Sequence, residues 1–358
     1  MRLSEKSLLI ITVLFILLGV VFFGHSSNYL IDYSREISIP YQMNCNKVLF
    51  RDIFLIYGFW GYFVNSFLFK CIHNIVIFLI LSNILSYLFV VLFYLILKKY
   101  VSNKCALLFS VAFILCSVHS CATFSFVVPY SYSVLWAYFA SYLLFASILY
   151  KKTSFVFISL SLLSVTRIEI FLPLVIFVFV YLLIKKQKTD YNFLLLFLFP
   201  LIFLGYILIN KISFSDIILN FEYLKKMLNS PSLVFLYKGM GVFFYKDYFV
   251  FNLLNLSIYL SVFLLTYFVF QKFNKYVSAI LLILLFSLCN VVFVLNLALF
   301  VLIILFTVLC FRKKISRNDS ILFVFSLILS MKSIFAMNIW GYGNFSYILV
   351  IFNIYLLL

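Results

Sequence analysis

Residues 131–184 read SYSVLWAYFASYLLFASILYKKTSFVFISLSLLSVTRIEIFLPLVIFVFVYLLI. Three apolar runs, at about 131–150, 153–166 and 168–184, are parted only by Lys151 and Lys152 and then by Arg167 and Glu169. None alternates polar with apolar residues, as the strands of a membrane barrel do. Continuous apolar runs approaching the roughly 17–25 residues that span a bilayer read as membrane helices. The rest of the chain repeats the pattern, with further runs at about 7–23, 74–97, 105–122, 192–210, 249–270, 277–292, 296–311, 320–336 and 344–358. The expected fold is an all-α polytopic membrane protein of about 12 transmembrane helices, with interfacial helices in its first external loop. Residues 1–358 are expected to form a single membrane domain. The basic start, MRLSEK, precedes an apolar run with no A-x-A pattern after it, so the first run reads as a retained helix.

Composition agrees with this. The chain of 358 residues is 66% hydrophobic and 10% charged, with a mean hydropathy of +1.21, which excludes a soluble globular protein. The net charge of +17 is distributed by connection. Arg2 and Lys6; Lys98, Lys99 and Lys104; Lys151 and Lys152; Lys185, Lys186 and Lys188; Lys272 and Lys275; and Arg312, Lys313, Lys314 and Arg317 occupy alternate connections. These are 16 of the 27 basic residues, accompanied by only Glu5, Asp190 and Asp319 among the acids. By the positive-inside rule this set faces the cytoplasm, with both termini. The charge is then a topogenic signal and implies a lipid bilayer, not nucleic acid, as the partner. The expected location is the inner or plasma membrane, multi-pass.

The opposite set of connections holds the polar chemistry. It comprises loop 24–73, the turns at 119–130, 166–169 and 332–343, and loop 211–248. Loop 211–248, half apolar and carrying Lys225, Lys226, Lys238 and Lys246, reads as an amphipathic helix, a turn at Ser230-Pro231 and a second interfacial segment. Loop 24–73 reads as two interfacial helices, with Pro40 in the first and Gly58 and Gly61 breaking the second. Of seven cysteines, five lie in or beside apolar runs, where a small buried hydrophobe is the ordinary reading. Cys45 and Cys71 fall in loop 24–73, which leaves either a disulfide or free thiols there. His25, His73 and His119 are too scattered to propose a metal triad, so dependence on a divalent metal ion stays open.

Charges at membrane depth are costly and face a partner or a cavity. Arg167 and Glu169 read either as a local ion pair or as a pair in which Glu169 orients Arg167 toward an anionic head group. Lys332 reads either as a snorkelling side chain or as a phosphate ligand. Asp32, followed by Arg35 and Glu36, reads as a loop salt bridge or as a carboxylate held ionised by a cation and able to act as a general base.

The segments Asp32-Tyr-Ser-Arg35-Glu36, Ile39-Pro40, Lys47 to Phe54, Ile56-Tyr57-Gly58, Gly61-Tyr62 and Asn65 to Lys70 together resemble one known pattern. It is the first external loop of bacterial and archaeal relatives of dolichyl-phosphate-mannose protein mannosyltransferases, in the type-C glycosyltransferase superfamily. Val128-Pro129-Tyr130-Ser131-Tyr132, Thr166-Arg167-Ile168-Glu169, Lys332-Ser-Ile-Phe and Gly341-Tyr342-Gly343 follow in the order the resemblance requires. Ser34 and Phe59 stand where Gly and Pro are usual. The resemblance implies a glycosyltransferase taking a sugar from a polyprenyl-phosphate donor to a cell-surface glycan, lipopolysaccharide or lipid acceptor, with its site extracytoplasmic. It implies Asp32 as the catalytic carboxylate. Around it, the implied donor-binding set is Arg35, Glu36, Arg51, Asp52, Arg167, Glu169 and Lys332, with Tyr57, Tyr130 and Tyr342 against the sugar ring. The alternatives are an O-antigen or capsule repeat-unit polymerase and, in another class, a lipid-linked-sugar flippase. Transport calls for charges in mid-span, whereas the charges map to helix ends on one face.

Overall fold

The computed structural model describes residues 3–21, 34–55, 58–72, 74–119, 132–185, 190–231, 250 and 317–330. The chain divides into two compact units, Met1–Met227 and Leu228–Leu358. The first holds α1 (Leu3–Val21), α2 (Ser34–Asn44), α3 (Phe59–Ile72), α4 (Ile75–Leu97), α5 (Asn103–His119), α6 (Tyr132–Leu149), α7 (Thr153–Thr166) and α8 (Ile168–Lys185). A 3₁₀ segment, Asp190–Phe197, then leads into α9 (Leu198–Ile209), and α10 (Phe214–Leu228) follows, its last residue belonging to the second unit. The second unit contributes α11 (Arg317–Ser330), which buries Ile321, Leu322, Phe323, Phe325 and Leu329. Among the described residues the protein is all-helical, apart from one isolated bridge between Leu49 and Ile53.

Among the described residues, three segments, Tyr132–Leu149, Ile168–Lys185 and Tyr191–Ile209, are long and apolar enough to cross a membrane. The helices of the first unit fall where the apolar runs predict them. The expected runs at about 277–292, 296–311 and 344–358, and that at about 249–270 except for Val250, lie outside the described residues. One run differs from expectation: 192–210 is not a single α-helix but a 3₁₀ stretch followed by α9. Pro200, near the start of α9, has no N–H for the carbonyl four residues back, and its ring crowds that carbonyl. A helix interior would be broken there, whereas a first turn tolerates it. Ser161 of α7 meets the new start by accepting the Phe199 N–H at 2.9 Å.

α7 is the centre of the first unit, packed against α3, α6, α8, α9 and the 3₁₀ stretch. Ser159 stays buried at little cost because its hydroxyl returns to the helix, donating to the Phe155 carbonyl at 2.6 Å. α8 buries only the stripe Leu174, Val178 and Leu182. It leaves Leu172, Ile176, Phe179 and Leu183 exposed, the one-sided burial of a helix at the rim of a bundle in lipid.

Contacts between connections sort them to two ends of the first unit. At one end Tyr150 Oη donates to the Leu95 carbonyl at 3.1 Å and Lys99 lies over the Tyr150 ring, 4.1 Å from its centroid. Ser154 Oγ donates to Asn192 Oδ1 there at 2.8 Å. At the other end loop 34–72, the start of α6, the α7–α8 junction and the segment after α9 meet. The connections at 98–102 and 150–153 therefore lie at the end opposite the motif-bearing connections.

Candidate functional site

Loop 34–72 is a folded unit, not a loose connection. α2 runs antiparallel to α3, with Tyr41 edge-on to Phe69 at 6.2 Å and Asn44 Nδ2 donating to Ser66 Oγ at 3.2 Å and to the Ser66 carbonyl at 3.1 Å. Three helix ends of the first unit close in the same way. Asn46 N–H donates to the Met43 carbonyl and Lys47 N–H to that of Gln42 at the end of α2. Lys151 with Lys152 after α6, and Lys211 with Ile212 after α9, repeat the pair of bonds. Asn46, Lys151 and Lys211 are left-handed, with φ of 64°, 56° and 50°, so these are Schellman closures made without glycine.

Between α2 and α3, residues 45–55 fold back through Phe50 N–H to the Ile53 carbonyl at 2.8 Å. Asp52 braces this turn by accepting the Val48 N–H at 2.8 Å. That bond, helped by Arg51 and Lys47, holds the Asp52 carboxyl below its usual range of about 3.8. Val48, Leu49, Phe50, Ile53 and Leu55 make a small core with Ile39, Phe59, Tyr62 and Ile212. The segment after α9 locks onto it. Tyr206 Oη accepts the Leu49 N–H at 3.1 Å and the Asn210 carbonyl accepts Arg51 Nη1 at 3.3 Å. Buried Asn220 of α10 takes both backbone groups of Leu55, accepting its N–H on Oδ1 at 2.7 Å and donating Nδ2–H to its carbonyl at 3.2 Å. Phe54 stacks on Tyr223 beside this clamp, centroids 4.1 Å apart.

The chain then enters α3 through Gly58, which stands directly against the Thr166 carbonyl at the end of α7. A Cβ on Gly58 would lie 1.8 Å from that oxygen. Gly61 was expected to break the second helix. It lies within α3 instead, where a Cβ would come 3.2 Å from the Ser133 backbone nitrogen. Its missing side chain lets α3 press on the start of α6.

Beside these contacts lies a cluster of charges. Glu36, in the first turn of α2, is fully buried. Its Oε1 accepts Arg35 Nη2–H at 3.1 Å and Nε–H at 3.3 Å. Its Oε2 accepts the Tyr132 N–H at 3.2 Å, a donor at the first residue of α6 for which the helix itself has no acceptor. Burial pushes the Glu36 carboxyl up, opposed first by the Arg35 charge, then by these bonds and by Arg167. Arg167 itself sits at the one extended residue between α7 and α8, with φ −148° and ψ 98°, and its Nη1 donates to Glu169 Oε1 at 2.9 Å. Two guanidinium groups, each still partly exposed, therefore share the field of one buried carboxylate. Such a constellation can hold an anion while keeping its own positive charges apart.

Of the residues singled out from sequence, Arg35, Glu36, Arg167 and Glu169 form this cluster. Arg51 and Asp52 belong to the neighbouring turn instead, where they pair with each other at 3.4 Å and reach the Asn210 carbonyl and the Val48 N–H. Asp32, Tyr57, Tyr130, Lys332 and Tyr342 lie outside the described residues, and Lys332 and Tyr342 fall in the second unit. Sequence reasoning missed Asn220, whose signal is a carboxamide on the inward face of an amphipathic helix, in register with Ile217 and Leu224. It also missed the Tyr132 N–H, a backbone group that no side chain announces. Cys45 and Cys71 are exposed free thiols. Among the described residues no group of three or more His, Cys, Asp or Glu side chains is placed to hold a metal ion. Comparison of the chain with protein-family models, with curated proteins and with solved structures gives no match to any of them.

Proposed function

We propose that the chain is a membrane glycosyltransferase of the type-C kind, moving a sugar from a polyprenyl-phosphate donor to a cell-surface glycan or lipid acceptor. The observation that carries the reading is convergence. Arg35 and Glu36, Gly58, Tyr132, and Thr166 with Arg167 come from four of the segments that bear the family resemblance, and they meet at one end of the first unit. Nothing in helix packing alone requires residues of that pattern to gather there.

In this reading about 12 spans cross the plasma membrane, both termini are cytoplasmic, and the cluster faces outward, opposite the lysine-rich connections. Asp32, four residues before Glu36, takes the proton of an acceptor hydroxyl. That oxygen attacks the anomeric carbon in line as the bond from carbon to phosphate oxygen breaks, and the leaving phosphate keeps the electron pair. The configuration inverts. Arg35 and Arg167 stabilise the charge that grows on the phosphate, the electrostatic contribution that is worth most in a site shielded from water. Tyr57 and Tyr130 are assigned to the sugar of the donor.

The surface glycan of a strain lacking the gene tests this reading. A transferase leaves a glycan short of one sugar while its lipid-linked donor accumulates on the outer side. Donor trapped on the cytoplasmic side would overturn the reading in favour of transport, and single intact repeats without chain length would overturn it in favour of polymerisation.

A further inference from the structure

The buried carboxylate has no route to a substrate. Glu36 is 0% exposed, and both of its oxygens are engaged, one by the Arg35 guanidinium and the other by the Tyr132 N–H. A second carboxylate charge beside a phosphate would also repel it. What Glu36 does touch is informative. The Arg35 side chain is 20% exposed against 1% for that of Glu36, so the pair meets its surroundings through Arg35. Arg35 Nε and Nη2 converge on a single oxygen, which fixes the guanidinium plane sideways-on instead of leaving it to swing about its long stem. The other oxygen ties the same carboxylate to the first turn of α6, 96 residues on. The plane of Arg35 is thereby set relative to the bundle, not merely relative to its own helix.

We infer that Glu36 is a positioning residue, which aims Arg35 from the start of α6 at the phosphate of a polyprenyl-phosphate ligand without touching that ligand. The inference rests on the transferase reading for the ligand class and on the geometry above for the role. Glu36→Gln keeps the shape but has only one acceptor oxygen. It must lose either the Arg35 contacts or the Tyr132 bond, and it drops the charge that holds the guanidinium.

The test is a double-mutant cycle on the full-length protein in nanodiscs, with undecaprenyl phosphate as the probe. Binding is measured for wild type, Glu36→Gln, Arg35→Ala and the double variant, with thermal unfolding of each as the check on folding. The expected result is about tenfold weaker binding for Glu36→Gln in the wild-type background, the loss of one charge-assisted contact. In the Arg35→Ala background the same change has almost no further effect, because distinct contributions add and a shared one does not. Equal binding by Glu36→Gln and wild type overturns the inference, as does an equal loss in both backgrounds, which marks a structural role only. If Glu36→Gln does not fold, Glu36→Asp, which keeps the charge but cannot reach both partners, carries the same cycle with the same criteria. Failure of wild type to bind the probe, with a folded protein, overturns the transferase reading and this inference with it. Binding by wild type with an additive cycle overturns the inference alone.

Discussion

Gly58 lies against the carbonyl of Thr166 so closely that any side chain there would overlap the oxygen. This is backbone against backbone, so no flexible side chain can give way. The contact docks the entry of α3 onto the end of α7, one residue before Arg167. Gly58→Ala must therefore push α3 and α7 apart. The expected loss is about 1–3 kcal/mol of stability, the usual range for overpacking, read as a lower unfolding temperature in detergent. Gly205→Ala is the control: it sits within α9 with nothing within 4 Å of a new Cβ, and is expected to hold or raise stability, alanine being the better helix former.

Asn220 is the second fastening. Replacing it by leucine keeps the volume and removes both bonds to Leu55. Two buried backbone groups are left without partners, at a cost on the order of 3 kcal/mol. Hydrogen exchange at the Leu55 amide should accelerate strongly, while exchange in α4 and α6 stays slow. Unchanged protection at Leu55 would remove the clamp from the account.

The turn at 45–55 carries a pH dependence of definite sign. The Asp52 carboxyl is held below its ordinary value of about 3.8 by the Val48 N–H. Its contribution is complete above that value and is lost as the pH falls through the lower folded value. Exchange of the Val48 amide relative to its intrinsic rate should thus rise only in acid below about pH 3.8, and Asp52→Asn should show that loss of protection at neutral pH.

Lys211 closes α9 in a left-handed conformation that a β-carbon disfavours. Lys211→Gly is expected to stabilise the protein by roughly 1 kcal/mol, by relieving that strain. Thermal unfolding of the variant measures it directly.

How far these features could be read from residues alone divides along a physical line. The helices of the first unit were legible because lipid demands long apolar runs and tolerates charges only between them, as at Lys151 and Arg167. The end-to-end sorting of connections was legible for the same reason. The closures at Lys151 and Lys211 were not, since a Schellman turn advertises itself by glycine and here lysine fills the place. Nor was the role of Gly61, which looks like a helix breaker until Ser133 is seen behind it. In the site, Arg35, Glu36 and Arg167 stood out as charges among apolar neighbours. What charge alone could not say was that Glu36 points inward, because its partner is a backbone N–H contributed by a helix start 96 residues away.

The proposed function makes Asp32 the base of a sugar transfer. The most direct measurement is the surface glycan of a strain lacking the gene, complemented with either wild type or Asp32→Asn expressed at equal level in the membrane. The account predicts the wild-type glycan from the first and the glycan of the uncomplemented strain from the second. Full restoration of the wild-type glycan by Asp32→Asn would contradict it.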